Sequence, residues 1–138
     1  MHLHTYLCHL CCTITNITDG VGGSVCYPRL AIVVGKHSTA QVIQSYAGTG
    51  DYFANCITRS VIGSGSTLKH FYMQEQSASA HHIDTITADI GEQSVYKTSL
   101  MAAGSLNARA NIQVYTYYKK HMTHTYLCKN AMIQQMWV

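Results

Sequence analysis

Gly35-Lys36-His37-Ser38, Gly63-Ser64-Gly65-Ser66 and Gly91-Glu92-Gln93-Ser94 share one pattern, a glycine followed three places later by serine, and the pattern recurs with a period of 28. A second series, Gly20, Gly48, Gln76 and Gly104, has the same period and is offset from the first by about half of it. A turn therefore falls at every half-period, and two strand-plus-turn units make one repeat. A fixed period in this range marks a solenoid, in which each coil buries its inner face only by stacking on the next. Glycine suits such corners because the backbone must turn sharply or approach a neighbour closely. The competing reading is an antiparallel meander or sandwich, whose turns come at shorter intervals. A meander gives no reason for Gly-x-x-Ser to recur at alternate turns, so the coiled reading is preferred.

Composition agrees with strands. Val, Ile and Thr make up about a quarter of the chain and Tyr adds ten more, whereas Leu and Glu are scarce. The readable runs are Arg29–Val34, Ala40–Tyr46, Ala54–Ile62, Thr67–Met73, His81–Thr87, Val95–Met101 and Arg109–Tyr115. No stretch of ten or more residues carries a helical apolar stripe with caps. The expected fold is all-β, with about three coils between Gly20 and Gly104. Its organisation is a core over 19–115 flanked by low-complexity tails over 1–18 and 116–138, a first strand being allowed from about residue 10. The tails share the pentapeptide His-Thr-Tyr-Leu-Cys at 4–8 and 124–128.

At 138 residues, with 47% apolar and 11% charged residues, the chain is a single domain and too apolar for disorder. No apolar run reaches the length of a membrane span. His2, His4 and His9 interrupt the apolar start and no base precedes Arg29, so no signal peptide is expected. Between Asp19 and Val114 six bases balance six acids; the net charge of +3 sits in Lys119, Lys120 and Lys129. A nucleic-acid surface needs clustered bases across the fold, and none is present.

Six cysteines (Cys8, Cys11, Cys12, Cys26, Cys56 and Cys128) are read as reduced thiols. His2, His4, Cys8, Cys11 and Cys12 offer zinc-type ligands, but no second ligand pair follows in the core, so no metal site is assigned. His81 and His82 are adjacent on a strand, point to opposite faces and cannot chelate together. Cys56 reads as a small buried hydrophobe and not a nucleophile. Gly48-Thr49-Gly50 and Gly63-Ser64-Gly65 mimic the start of a dinucleotide fingerprint but lack the third glycine and the helix. The acids Asp51, Glu75, Asp84, Asp89 and Glu92 do not share the period among themselves, which speaks against a carbohydrate-active β-helix enzyme. No catalytic residue is assigned.

Tyr27-Pro28-Arg29-Leu30-Ala31-Ile32-Val33-Val34-Gly35 resembles the stretch that opens the core of the SufB/SufD family. Ala40–Tyr46, Tyr52-Phe53-Ala54-Asn55, Lys69–Gln74, His82-Ile83 and the stretch from Gly104 through Arg109 to Val114 continue the likeness, which is greatest to the SufD branch. It is collinear over roughly residues 10–114. The resemblance implies a right-handed parallel β-helix and a non-catalytic scaffold role in SUF-type iron–sulfur cluster assembly, with SufB-like and SufC-like partners in a hetero-oligomer. It implies bacterial cytoplasm or plastid, and no nucleic-acid or membrane partner. Family members contribute interface groups from later coils and a C-terminal helical segment, so the chain resembles a fragment from the scaffold's middle. Arg59 stands where relatives often carry an acidic residue, and no cluster-binding residue carries over. The iron–sulfur cluster is implied for the full complex and not for this fragment. The alternatives are a β-solenoid binding module of unrelated function and a Cys/His metal-binding protein.

Overall fold

The structure, a computed structural model, describes residues 9–116 and 123–128. These form eight strands: β1 (His9–Cys26), β2 (Arg29–Val34), β3 (Thr39–Ile62), β4 (Thr67–Gln76), β5 (His81–Ile90), β6 (Val95–Gly104), β7 (Asn107–Thr116) and β8 (Thr123–Cys128). Every pairing among β1 to β7 is parallel, and from β4 to β7 strands adjacent in sequence are not neighbours in the sheet. The chain winds as a parallel β-helix. One face stacks the first halves of β1 and β3 on β4 and β6; the other stacks β2 and the second half of β3 on β5 and β7. Three intervals of winding thus separate four rungs.

The step between rungs equals the sequence period where Thr39 meets Thr67, Thr67 meets Val95, Arg29 meets Ile57 and Phe53 meets His81. It departs from that period at each end, for a local reason. Gly20 pairs with Gly50 and Ser24 with Tyr52, so β1 spends two extra residues at its corner, where Gly22 and Gly23 hold φ of 70° and 76°. At the far end Gln76 pairs with Gly104 and His81 with Asn107. The corner at Ser105 is two residues shorter than the one it stacks on. The expected alignment of Gly20 with Gly48 is therefore corrected: Thr18 lies opposite Gly48, and only Gln76 and Gly104 of that series meet in register. Nor is the Gly48–Gly50 corner a break, since β3 bends there and continues as one strand.

The Gly-x-x-Ser corners have a direct explanation. The Ser66 hydroxyl donates to the Gly35 carbonyl one coil below (2.6 Å) and accepts from the Ser38 N–H (3.1 Å). Ser94 repeats both bonds one coil on, to the Gly63 carbonyl (2.7 Å) and from the Ser66 N–H (3.2 Å). A side chain on Gly63 would lie 2.7 Å from the Lys36 nitrogen, and one on Gly91 the same distance from the Ser64 nitrogen. Glycine is required because backbone sits on backbone.

Side chains alternate along each strand, as in the inward and outward sequence of β4 and β5. Val34, Ile62 and Ile90 form one stacked interior column. Ile86, Ile112, Leu68 and Leu100 extend the core. The interior also holds Gln44, Thr58, His70, Gln74, His82, Asp84 and Thr98. Among the described residues β7 is the last wound strand, and β8 runs antiparallel to it, Tyr115 meeting Thr123.

Candidate functional site

The buried polar residues gather in two connected groups inside the coil. In the first, β3 supplies Gln44 and Thr58, β4 supplies His70 and β6 supplies Tyr96. Gln44 Nε2 donates to the Tyr46 hydroxyl (2.6 Å) and to Thr58 Oγ1 (2.8 Å). His70 Nε2 donates to Gln44 Oε1 (2.9 Å), which leaves Nδ1 to accept from the Tyr96 hydroxyl (3.0 Å). Both ring nitrogens are satisfied with the ring neutral, and burial lowers the His70 pKa to about 4.

The second group is Cys56, His82 and Asp84, all buried, with Tyr72 and Tyr46 against them. The parallel register builds it. Cys56 lies opposite Asp84, and Ala54 opposite His82, so all three face inward at adjacent positions of neighbouring rungs. One ligand atom from each of the three lies within 4.8 Å of the others. Cys56 Sγ is 4.0 Å from His82 Nδ1, and His82 Nε2 is 3.9 Å from Asp84 Oδ2 and 2.7 Å from the Tyr72 hydroxyl. The Tyr46 ring meets the His82 ring edge-on at 4.9 Å.

Among the described residues, neither Asp84 oxygen makes a hydrogen bond of full geometry, although the side chain is fully buried. Burial pushes its carboxyl up to about 6, against a lowering influence of the Tyr72 and Tyr46 hydroxyls. Burial, with the Asp84 charge behind it, pushes the Cys56 thiol up to about 12. A thiol in that state is a poor nucleophile. Burial lowers His82 to about 4. With its thiol protonated the group is poorly suited to nucleophilic attack, and its sulfur, nitrogen and oxygen atoms are near enough to one another to hold a metal ion.

Other sequence candidates disperse. His2, His4 and Cys8 lie outside the described residues. Cys11 and Cys12 are neighbours on β1 with free thiols, the first exposed and the second half-buried. His82 is buried and His81 half-buried, as their alternation predicts, and His81 meets Asn107 at 3.1 Å. Gly48-Thr49-Gly50 and Gly63-Ser64-Gly65 are coil corners. Thr49 donates to Asp19 at 3.0 Å, and among the described residues no helix follows either corner. The sequence assigns no metal ligand, and comparing the acids only with each other does not bring Cys56, His82 and Asp84 together. The signal was available: Cys56 and Asp84 are themselves one full period apart.

The sequence profile described as "SUF system FeS cluster assembly, SufBD core domain" matches residues 15–135. The chain belongs to the SufBD core family. The SufBD profile thus takes in the four-rung coil from within β1 onward, together with β8. The chain is also 25% identical over 102 residues to the "Iron-sulfur cluster assembly protein SufD" of Plasmodium berghei (strain Anka). That alignment covers 72% of this chain and 8% of the SufD relative, so the chain spans a small part of that protein's length. No solved structure matches this chain.

Proposed function

We propose that this SufBD core chain is a non-catalytic scaffold element of SUF-type iron–sulfur cluster assembly, acting through SufB-like and SufC-like subunits. The observation that carries the reading is the family match over residues 15–135, on a coil whose period was legible from glycine spacing alone. Physical form supports it. Among the described residues, β1 and β2 form one end of the stack and β6 the outer edge of the other, each with one side of its backbone unpaired by another strand. Such edges accept added strands through main-chain hydrogen bonds, with affinity from the shared apolar core. Iron and sulfur are cargo in this reading, and the cluster-holding groups belong to the assembled complex. The corresponding compartment is bacterial cytoplasm or plastid. Affinity capture of the tagged chain from its native cells tests the proposal. Stoichiometric recovery of SufB-type and SufC-type subunits is expected, and their absence from a folded, soluble capture would contradict it.

A further inference from the structure

We propose that Cys56, His82 and Asp84 form a mononuclear site for a borderline divalent cation of the Zn²⁺ class, built into the interior of the coil. Three observations converge on it. The ligand atoms come from adjacent rungs and already lie within 4.8 Å of one another. The Asp84 side chain is fully buried and, among the described residues, neither oxygen makes a hydrogen bond of full geometry. The Tyr72 and Tyr46 hydroxyls and the Thr85 N–H offset its burial only in part, an arrangement that is costly unless something positive meets it. The Tyr72 hydroxyl sits 2.7 Å from His82 Nε2, and in the tautomer that carries its proton there it accepts that N–H and leaves Nδ1, 4.0 Å from Cys56 Sγ, as the donor to an ion.

Charge decides between classes of ligand. A thiolate, a carboxylate and a neutral imidazole carry two negative charges, which one divalent cation cancels in an interior that tolerates no net charge. Binding expels the Cys56 proton to solvent, since the thiolate and not the thiol is the ligand. Sulfur and nitrogen donors select zinc-like ions over Mg²⁺ or Ca²⁺, which take oxygen ligands. A single thiolate in a closed interior suits one ion and not an iron–sulfur cluster, which is held mainly by several thiolates. Three protein ligands leave one tetrahedral position for water or a small exogenous ligand. The site ties β3 to β5, so occupancy braces two rungs of the scaffold. It does not depend on which partners the chain binds.

The test is titration of the purified, chelator-treated chain with Co²⁺ and Zn²⁺ at neutral pH, with Mg²⁺ as comparison. One equivalent of Co²⁺ should give a thiolate-to-cobalt charge-transfer band and tetrahedral d–d absorption. Zn²⁺ should displace it, Zn²⁺ added to the metal-free chain should release a proton, and Mg²⁺ should do neither. Cys56→Ser should abolish the charge-transfer band, and the isosteric Asp84→Asn should weaken binding by about 100-fold, near the upper end of changes around metal sites. Cys11→Ser/Cys12→Ser should leave both unchanged. Failure of the unsubstituted chain to develop the band overturns the proposal without recourse to any variant. Loss of the band in Cys11→Ser/Cys12→Ser with its retention in Cys56→Ser overturns it equally.

Discussion

Ser66 and Ser94 each bridge two coils with a single hydroxyl, and the glycine that precedes each serine by three residues lets the coils approach closely enough for the bridge to form. Gly63 and Gly91 press on backbone atoms that cannot move aside, whereas the nearest atom to a side chain on Gly35 is Ser38 Oγ at 3.7 Å. Gly63→Ala and Gly91→Ala should each cost about 1–3 kcal/mol, the usual range for overpacking. Gly35→Ala, with no coil beneath it among the described residues, should change stability by less than about 0.5 kcal/mol. Urea denaturation of the three variants checks the contrast. The interior histidines add a pH dependence whose sign is fixed by burial. His70 titrates at 6.5 in its ordinary state and about 4 when folded, so between those values the unfolded chain binds a proton that the folded chain does not. Its contribution is fully present above pH 6.5, and stability falls as pH drops toward 4, by up to about 1.4 kcal/mol per pH unit. His82 acts in the same direction. Asp84, raised from 3.8 to about 6, acts in the opposite one: its contribution is present below 3.8 and lost as pH rises through 6. His70→Gln should flatten the fall in denaturation midpoint between pH 6.5 and 5 relative to the unsubstituted chain, and an unaltered slope would contradict the assignment.

At the level of strands, much was legible because the inward and outward alternation and the glycine corners are both short-range signals. Arg29–Val34 was read with the bounds of β2, and the runs beginning at Thr67, His81 and Val95 start where β4, β5 and β6 start. What escaped were features that depend on three-dimensional stacking. That Gly20 would meet Gly50 instead of Gly48 depends on two residues looped out between Gly20 and Ser24, and nothing in the local composition counts them. That β3 would bend at Gly50 without breaking follows from the rungs on either side of it continuing to pair. The Cys56–Asp84 contact needed the period applied to residues of different type. The looped-out glycines lead to a prediction. Deleting Gly22 and Gly23 restores the regular step between rungs, and the β3 corner stacked on this one already turns without the extra pair. The deletion should leave the melting temperature within a few degrees of its starting value. A collapse of the cooperative transition would show that the bulge is itself structural.

For the whole molecule, the balance of bases and acids across the coil and, among the described residues, the strand edges at both ends support the proposed role of an element that is extended or covered. That reading rests on the chain advancing one rung every two corners. The most direct check uses Lys69 and Lys97, which face each other in register on β4 and β6. Neighbouring strands lie about 4.8 Å apart, within the Cα separation a disulfide spans. Lys69→Cys/Lys97→Cys should therefore close rapidly under mild oxidation, with the bridge mapped by mass spectrometry. Lys69→Cys/Asp89→Cys, which a β4–β5 hairpin would bring together, should not close. Rapid closure of the second pair and not the first would mean that the strands run as hairpins and that the chain does not wind.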